Sequence, residues 1–214
     1  MLSPKFESIR SVLCLGAHSD DIEIGCGGTL LQLLSARPQC EVHWIVFSGE
    51  ETRATEARTS AAELLASAAN KQVVVHRFRD SYFPYIGAEI KDYFAQLAQK
   101  VNPDVIFTHR HGDAHQDHRL IAELTANTFR NHLIFEYEIP KYDGDLRTPN
   151  CYVPIDEATA RRKVDHLLRH FPSQHEKKWF TADTFHALLR LRGIECNSPT
   201  GLAEGFECRK MVIG

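Results

Sequence analysis

Two short clusters, HSDD at residues 18–21 and HQDH at residues 115–118, hold the side-chain types that bind divalent metals and move protons. His18 and Asp21 stand three residues apart, a spacing at which a tight turn aims an imidazole and a carboxylate at one point. His115 and His118 have the same separation and share a face if HQDH opens a helix. An imidazole from His118 completes a His–Asp–His set and leaves a fourth position for water, the open geometry of a catalytic zinc site. Asp20 and His115 then remain as ionisable groups beside that water. Each residue alone has a plainer reading. His18 could bond to backbone, the two aspartates could cap a helix starting near Gly25, and any single histidine could be structural. Yet His109, His111, His115 and His118 fall within ten residues, which scattered surface histidines would not do.

The elements around these clusters explain how they could meet. Apolar runs such as SVLCLGA, EVHWIVFSG, QVVVHRF, DVIFTH and HLIFEYEI alternate with helical patterns such as GTLLQLLSAR, EARTSAAELLASAA, IKDYFAQLAQKV and QDHRLIAELTANTF. That alternation predicts an α/β fold, a mostly parallel sheet with helices on both faces, as a single domain over residues 1–214. HSDD, SGEETR, RDSYFP and HRHGDAHQDH each follow one of the first four strands. Ligands of open α/β sheets bind outside the carboxyl ends of the strands, so the four clusters should face one crevice. After Pro140 a turn-rich loop leads to two more helical patterns, with Asp156 and Thr181 as expected N-caps and Gly193 as an expected stop. A dinucleotide-binding turn after the first strand is rejected. Gly16, Gly25, Gly27 and Gly28 lack the required spacing, and Asp20 and Asp21 would repel a pyrophosphate.

Composition narrows the partners. A net charge of −3 with no basic stripe gives no reason to expect nucleic acid. No run approaches the roughly 18 apolar residues of a membrane span. MLSPKFESIRSV has no apolar core typical of a secretory leader, and the six cysteines include no CxxC pair. Reduced, mostly buried thiols in a cytoplasmic protein are the expectation.

With these motifs in place, AHSDD followed by GCGGT, together with HQDH, resembles the LmbE/PIG-L family of zinc-dependent N-deacetylases. TRATEAR, FRDS and GLAEGFECRK extend the likeness over nearly the whole chain. The resemblance implies a Rossmann-like fold and removal of the N-acetyl group from an N-acetylglucosamine-type sugar or sugar conjugate, by attack of a zinc-bound water on the amide carbonyl. It implies His18, Asp21 and His118 as ligands of Zn2+ (or another divalent ion such as Fe2+). Asp20 would be the general base, His115 would face the reacting carbonyl, and Asp117 would tune His115. Arg53 and Asp80 would contact the sugar, although Arg53 could simply pair with Glu50 or Glu56. Ser19 stands where the family usually has proline, and Ile22 where glutamate is frequent; neither is a ligand position. Physics fits this division of labour, because a protonated His115 could stabilise the charge that builds on the carbonyl oxygen.

Two rival classes use the same residue types. An Fe(II) oxygenase also has two histidines and a carboxylate, but usually with HxD spacing and with no evident use for Asp20 or the His115–Asp117 pair. A non-catalytic sugar-binding module would be favoured by loss of Asp20 or His115, and both are present. The expected partner is therefore a small N-acetylated sugar conjugate. The rest of that conjugate, the roles of Arg192 and Glu204, and whether the chain forms a homo-oligomer stay open.

Overall fold

The computed structural model describes residues 9–212, so most of the segment read for a leader lies outside the described residues. The chain runs β1 (Ser11–Gly16), α1 (Asp21–Ala36), β2 (Glu41–Val46), α2 (Glu51–Leu64), β3 (Asn70–Val75), α3 (Gly87–Lys100) and β4 (Val105–His109). It continues through α4 (Gln116–Thr128), β5 (Leu133–Tyr137), β6 (Cys151–Pro154), α5 (Glu157–His170), α6 (Ala182–Glu195) and β7 (Ala203–Cys208). Seven strands form one sheet in the order β3-β2-β1-β4-β5-β7-β6. The first five are parallel, and β7 runs antiparallel to both β5 and β6. No helix among the described residues is long and apolar enough to cross a membrane.

Both faces of the central strands are covered, so their apolar residues divide by alternation. Val12, Cys14, Val42, Trp44 and Val46 join the core that includes residues of α1, α2 and α5. Leu13, Leu15, Ile45 and Phe47 join the opposite core with residues of α3 and α4. Continuous apolar runs are what such doubly covered strands require. The run at β3 is different. It lies at the sheet edge, where Asn70, Lys71 and Gln72 are exposed and the three valines are part-buried or buried.

The expected caps form: Thr159 N–H donates to Asp156 Oδ1 at 2.7 Å, and Thr184 N–H donates to Thr181 Oγ1 at 3.2 Å. Gly193 does not stop its helix, which continues to Glu195. A Cβ at that position would run into the backbone of Gly201, so the glycine permits close packing and not termination. Nor does α1 start near Gly25; it starts at Asp21 and is kinked at Cys26, where φ is −142°.

The sheet order reverses between β1 and β4, which are neighbours although their connections lead to opposite sides. This is the topological switch point at which open α/β sheets form their ligand crevice. HSDD leaves the end of β1 there, and HRHGDAHQDH leaves the end of β4.

Candidate metal centre and active site

The turn from β1 into α1 carries His18, Asp20 and Asp21, while the loop from β4 delivers His118 in the first turn of α4. His18 Nδ1 lies 3.1 Å from His118 Nε2 and 3.4 Å from Asp21 Oδ2, and His118 Nε2 lies 3.6 Å from Asp21 Oδ1. A tetrahedral ion with ligand bonds of about 2.1 Å has ligand–ligand edges of about 3.4 Å, so these three residues could hold one.

The outer partners decide which atoms face inward. His118 Nδ1 is 3.1 Å from Asp113 Oδ2, and His18 Nε2 is 3.1 Å from Asp80 Oδ1 and 3.3 Å from Asp117 Oδ2. If each carboxylate takes a ring N–H, the facing atoms are two bare nitrogens and a carboxylate. Three acceptors turned toward one another are an arrangement that a cation would hold together, and the donor set suits a divalent ion. The same convergence favours a proton on His18. Burial opposes the charged imidazole, but Asp21 and the bonds to Asp117, Asp21 and Asp80 raise its pKa well above the ordinary value. Burial and the neighbouring His109 push His118 down to about 3, against the pull of Asp21.

Asp20 lies beside this cluster and is nearly buried, with Oδ1 held by Arg53 Nη2 at 2.6 Å. Arg53 stands in the first turn of α2 and also pairs with Glu56 at 3.1 Å, as its plainer reading expected. Asp20 makes no side-chain capping bond to α1. His115 is the N-cap of α4, and its Nδ1 accepts from Asp117 N–H at 3.3 Å. Its ring stacks on His118 with centroids 4.6 Å apart. Burial and the adjacent His18 hold the His115 pKa below the ordinary value, so the protonated form expected above is disfavoured. With Nδ1 accepting, the neutral ring carries its hydrogen on Nε2, where it can still donate.

The Asp117 carboxylate is turned away from the His115 ring. It accepts from Ser81 N–H at 2.7 Å and Phe83 N–H at 3.1 Å and faces His18, with no hydrogen bond to His115 among those described. Asp117 touches His115 only through its own N–H and through its charge, which raises the His115 pKa. Asp80 has a side chain 63% exposed and uses Oδ1 toward both His18 and Ser81. Arg53 and Asp80 therefore border the cluster, each engaged with one of its members.

Sequence reasoning did not single out His109 or Asp113. His109 is fully buried, with Nε2 3.1 Å from Asp21 Oδ2 and 2.9 Å from Ala17 N, and with no partner for Nδ1. Asp21, His109 and His118 also offer ligand atoms within 4.8 Å of one another. The only signal was the density of histidines, which marks the loop without ranking its members. Glu204 and Arg192 are explained too. Glu204 accepts from Gly28 N–H at 2.8 Å and Thr29 N–H at 2.7 Å, the amides freed by the α1 kink, and pairs with Lys163 Nζ at 2.5 Å. Arg192 grips Glu138 with two bonds of 2.6 and 2.7 Å.

Comparison with known proteins agrees with this architecture. The chain is similar in structure to N,N'-diacetylchitobiose deacetylase from Pyrococcus horikoshii, with a TM-score of 0.73 and 22% identity, covering 95% of this chain and 85% of that one. It is similar to 4-carboxy-2-hydroxymuconate hydratase from Pseudomonas putida, with a TM-score of 0.76 and 16% identity, covering 96% and 98%. It is also similar to the zinc-inhibited form of teicoplanin deacetylase Orf2, with a TM-score of 0.71 and 12% identity, covering 92% and 97%. Because one of the three is a hydratase, the shared fold by itself does not select a reaction. No curated protein sequence is significantly similar to the chain. The family model for PIG-L, the GlcNAc-PI de-N-acetylases, matches residues 13–129, more than half of the chain, and includes both HSDD and HQDH. The chain belongs to the PIG-L family.

Proposed function

We propose that this protein is a metal-dependent N-deacetylase that releases acetate from an N-acetylglucosamine-type sugar or sugar conjugate. The observation that carries the reading is that His18 Nδ1 and His118 Nε2 lie 3.1 Å apart, with Asp21 Oδ2 3.4 Å from the first and Asp21 Oδ1 3.6 Å from the second, next to Asp20 in the same turn. Family membership adds the reaction class. His18, Asp21 and His118 would hold the ion, which we take to be Zn2+ from its preference for imidazole and carboxylate. When bound, such an ion polarises the amide carbonyl and lowers the pKa of a water molecule toward about 7.

The remaining steps belong to the chain's own side chains. Arg53 fixes Asp20 through Oδ1 and leaves Oδ2 to take a proton from the attacking water. Asp20 then gives that proton to the departing amine nitrogen. His115, held by its capping bond, presents Nε2–H to the carbonyl oxygen as negative charge develops there. Asp80 and Arg53 border the same space and are assigned to the sugar hydroxyls.

The direct test is release of free amine from a panel of N-acetylated sugars, sugar nucleotides and sugar glycosides by Zn2+-loaded protein. Amine should appear from N-acetylglucosamine compounds and fall with chelation. A panel left uncut by protein with full metal occupancy would overturn the reading.

A further inference from the structure

A second group of metal-binding residue types lies away from the crevice, on the seam between α2 and α5. Glu63 is near the end of α2, roughly 15 Å along the helix axis from Arg53 at its start. His166 and His170 are one helical turn apart on α5, with ring centroids separated by 4.3 Å. Each of the three offers one ligand atom, and these atoms lie within 4.8 Å of one another. His170 Nε2 is 2.8 Å from Glu63 Oε2, and His166 Nδ1 is 3.8 Å from Glu63 Oε1. Histidines at i and i+4 turn their nitrogens to one side of a helix, and here a carboxylate from the neighbouring helix faces them.

His166 is oriented from behind by buried groups. Its Nε2 lies 2.8 Å from Ser60 Oγ, and the Ser60 hydroxyl donates to Glu23; both residues are buried. The Ser60 hydroxyl thus holds Nε2 of His166 to the inside and leaves Nδ1 turned outward. That nitrogen faces Glu63 Oε1 at 3.8 Å, a gap too wide for a hydrogen bond. A plainer account makes Glu63 the centre of surface ion pairs, since Arg169 Nη2 also reaches Oε1 at 2.9 Å. Arg169 is 58% exposed, however, and an exposed pair of this kind holds its partner weakly. It also leaves Nδ1 of His166 without a hydrogen bond among those described.

We propose that Glu63, His166 and His170 form a second metal site on the α2–α5 seam, which takes a divalent transition ion of the zinc, nickel or copper type. Two imidazoles and one carboxylate select such ions over magnesium or calcium. Ser60 is the positioning residue that keeps Nδ1 of His166 turned outward. The site needs nothing from the crevice, so it stands or falls independently of the deacetylase reading.

Metal-stripped protein is dialysed to equilibrium against Zn2+, and in parallel against Ni2+, and its metal content is measured by elemental analysis. Glu63→Gln and His170→Ala should each bind one equivalent fewer than wild type, with unchanged circular dichroism. Ser60→Ala should keep the full stoichiometry but bind the weaker equivalent about tenfold less tightly. Equal stoichiometry in wild type and His170→Ala would overturn the site, and unchanged affinity in Ser60→Ala would overturn the positioning role.

Discussion

His109 and His118 stack with ring centroids 3.9 Å apart and planes 18° from parallel, and each turns a nitrogen toward Asp21. One of them comes from the last residue of β4 and the other from the first turn of α4, so the loop between them folds back on itself. His109 also accepts the Ala17 N–H at 2.9 Å, which ties the end of β4 to the turn that carries the proposed ligands His18 and Asp21.

Replacing His109 by phenylalanine keeps a ring against His118 but removes the Nε2 acceptor of the N–H of Ala17, the residue that leads into the HSDD turn. Metal affinity should fall about 10- to 100-fold, the usual effect of losing such a supporting contact. Competition with a zinc chelator measures it. Wild-type affinity in His109→Phe would reduce the residue to packing.

The adjacent aspartates should separate by assay. Asp20→Asn is expected to keep its zinc and lose about 10²–10⁴-fold in rate, because it removes a proton acceptor and not a ligand. Asp21→Asn is expected to be poor in metal, with activity lost as a consequence. Zinc content and amine release measured on both variants check the assignment, and the opposite pattern would exchange the two roles.

Arg53 touches Asp20 at 2.6 Å and should act on catalysis through it. Arg53→Gln should retain zinc while kcat drops about tenfold or more, because misplacing a catalytic group by a fraction of an ångström is costly. A pure rise in KM with kcat unchanged would assign Arg53 to sugar binding alone.

Glu204 is buried against Lys163 and the freed amides of α1. Glu204→Ala leaves a buried ammonium and two backbone donors without their partner. The expected loss is about 3 kcal/mol or more of stability, readable as the shift of the urea unfolding midpoint. A neutral result would mean that water replaces the carboxylate.

His76 lies among Tyr93, Phe78 and Phe47, with ring centroids at 4.1, 5.4 and 6.0 Å, and burial lowers its pKa. The unfolded chain therefore takes up this proton first as pH falls. The His76 contribution is present above about pH 6.5 and is lost as pH drops from there through the lower folded value. Urea unfolding at neutral and mildly acidic pH should show His76→Phe losing less stability on acidification than wild type. An equal loss would place the sensitivity elsewhere.

Much of the architecture was legible because the five parallel strands carry dense apolar runs between helical patterns. The two antiparallel strands were not. Cys151–Pro154 is four residues long, and Ala203–Cys208 is interrupted by two glutamates and a glycine, so neither stands out from a loop. In the site, HSDD and HQDH were readable because their members lie close in sequence. His109 gains meaning from Ala17 and Asp21 only after the chain has returned to β1. The resemblance implied that Asp117 tunes His115, and its charge does raise the His115 pKa, but the carboxylate does not face the ring. The Asp117 carboxylate turns to His18 and to the Ser81 and Phe83 amides instead.

The position of β7 between β5 and β6 has a consequence for how the molecule assembles. A ribosome delivers both clusters, HSDD and HQDH, long before it delivers Ala203–Cys208. Until that strand inserts, β6 has no neighbour in the sheet, and Lys163 and the amides of Gly28 and Thr29 lack their carboxylate. The kinked helix that begins beside Asp20 is thus completed by a contact 176 residues away. Contacts of such long sequence separation are slow to form. The proposed activity should therefore await the insertion of that strand, and a nascent chain halted before Ala203 would carry His18, Asp21 and His118 without a settled helix to hold them.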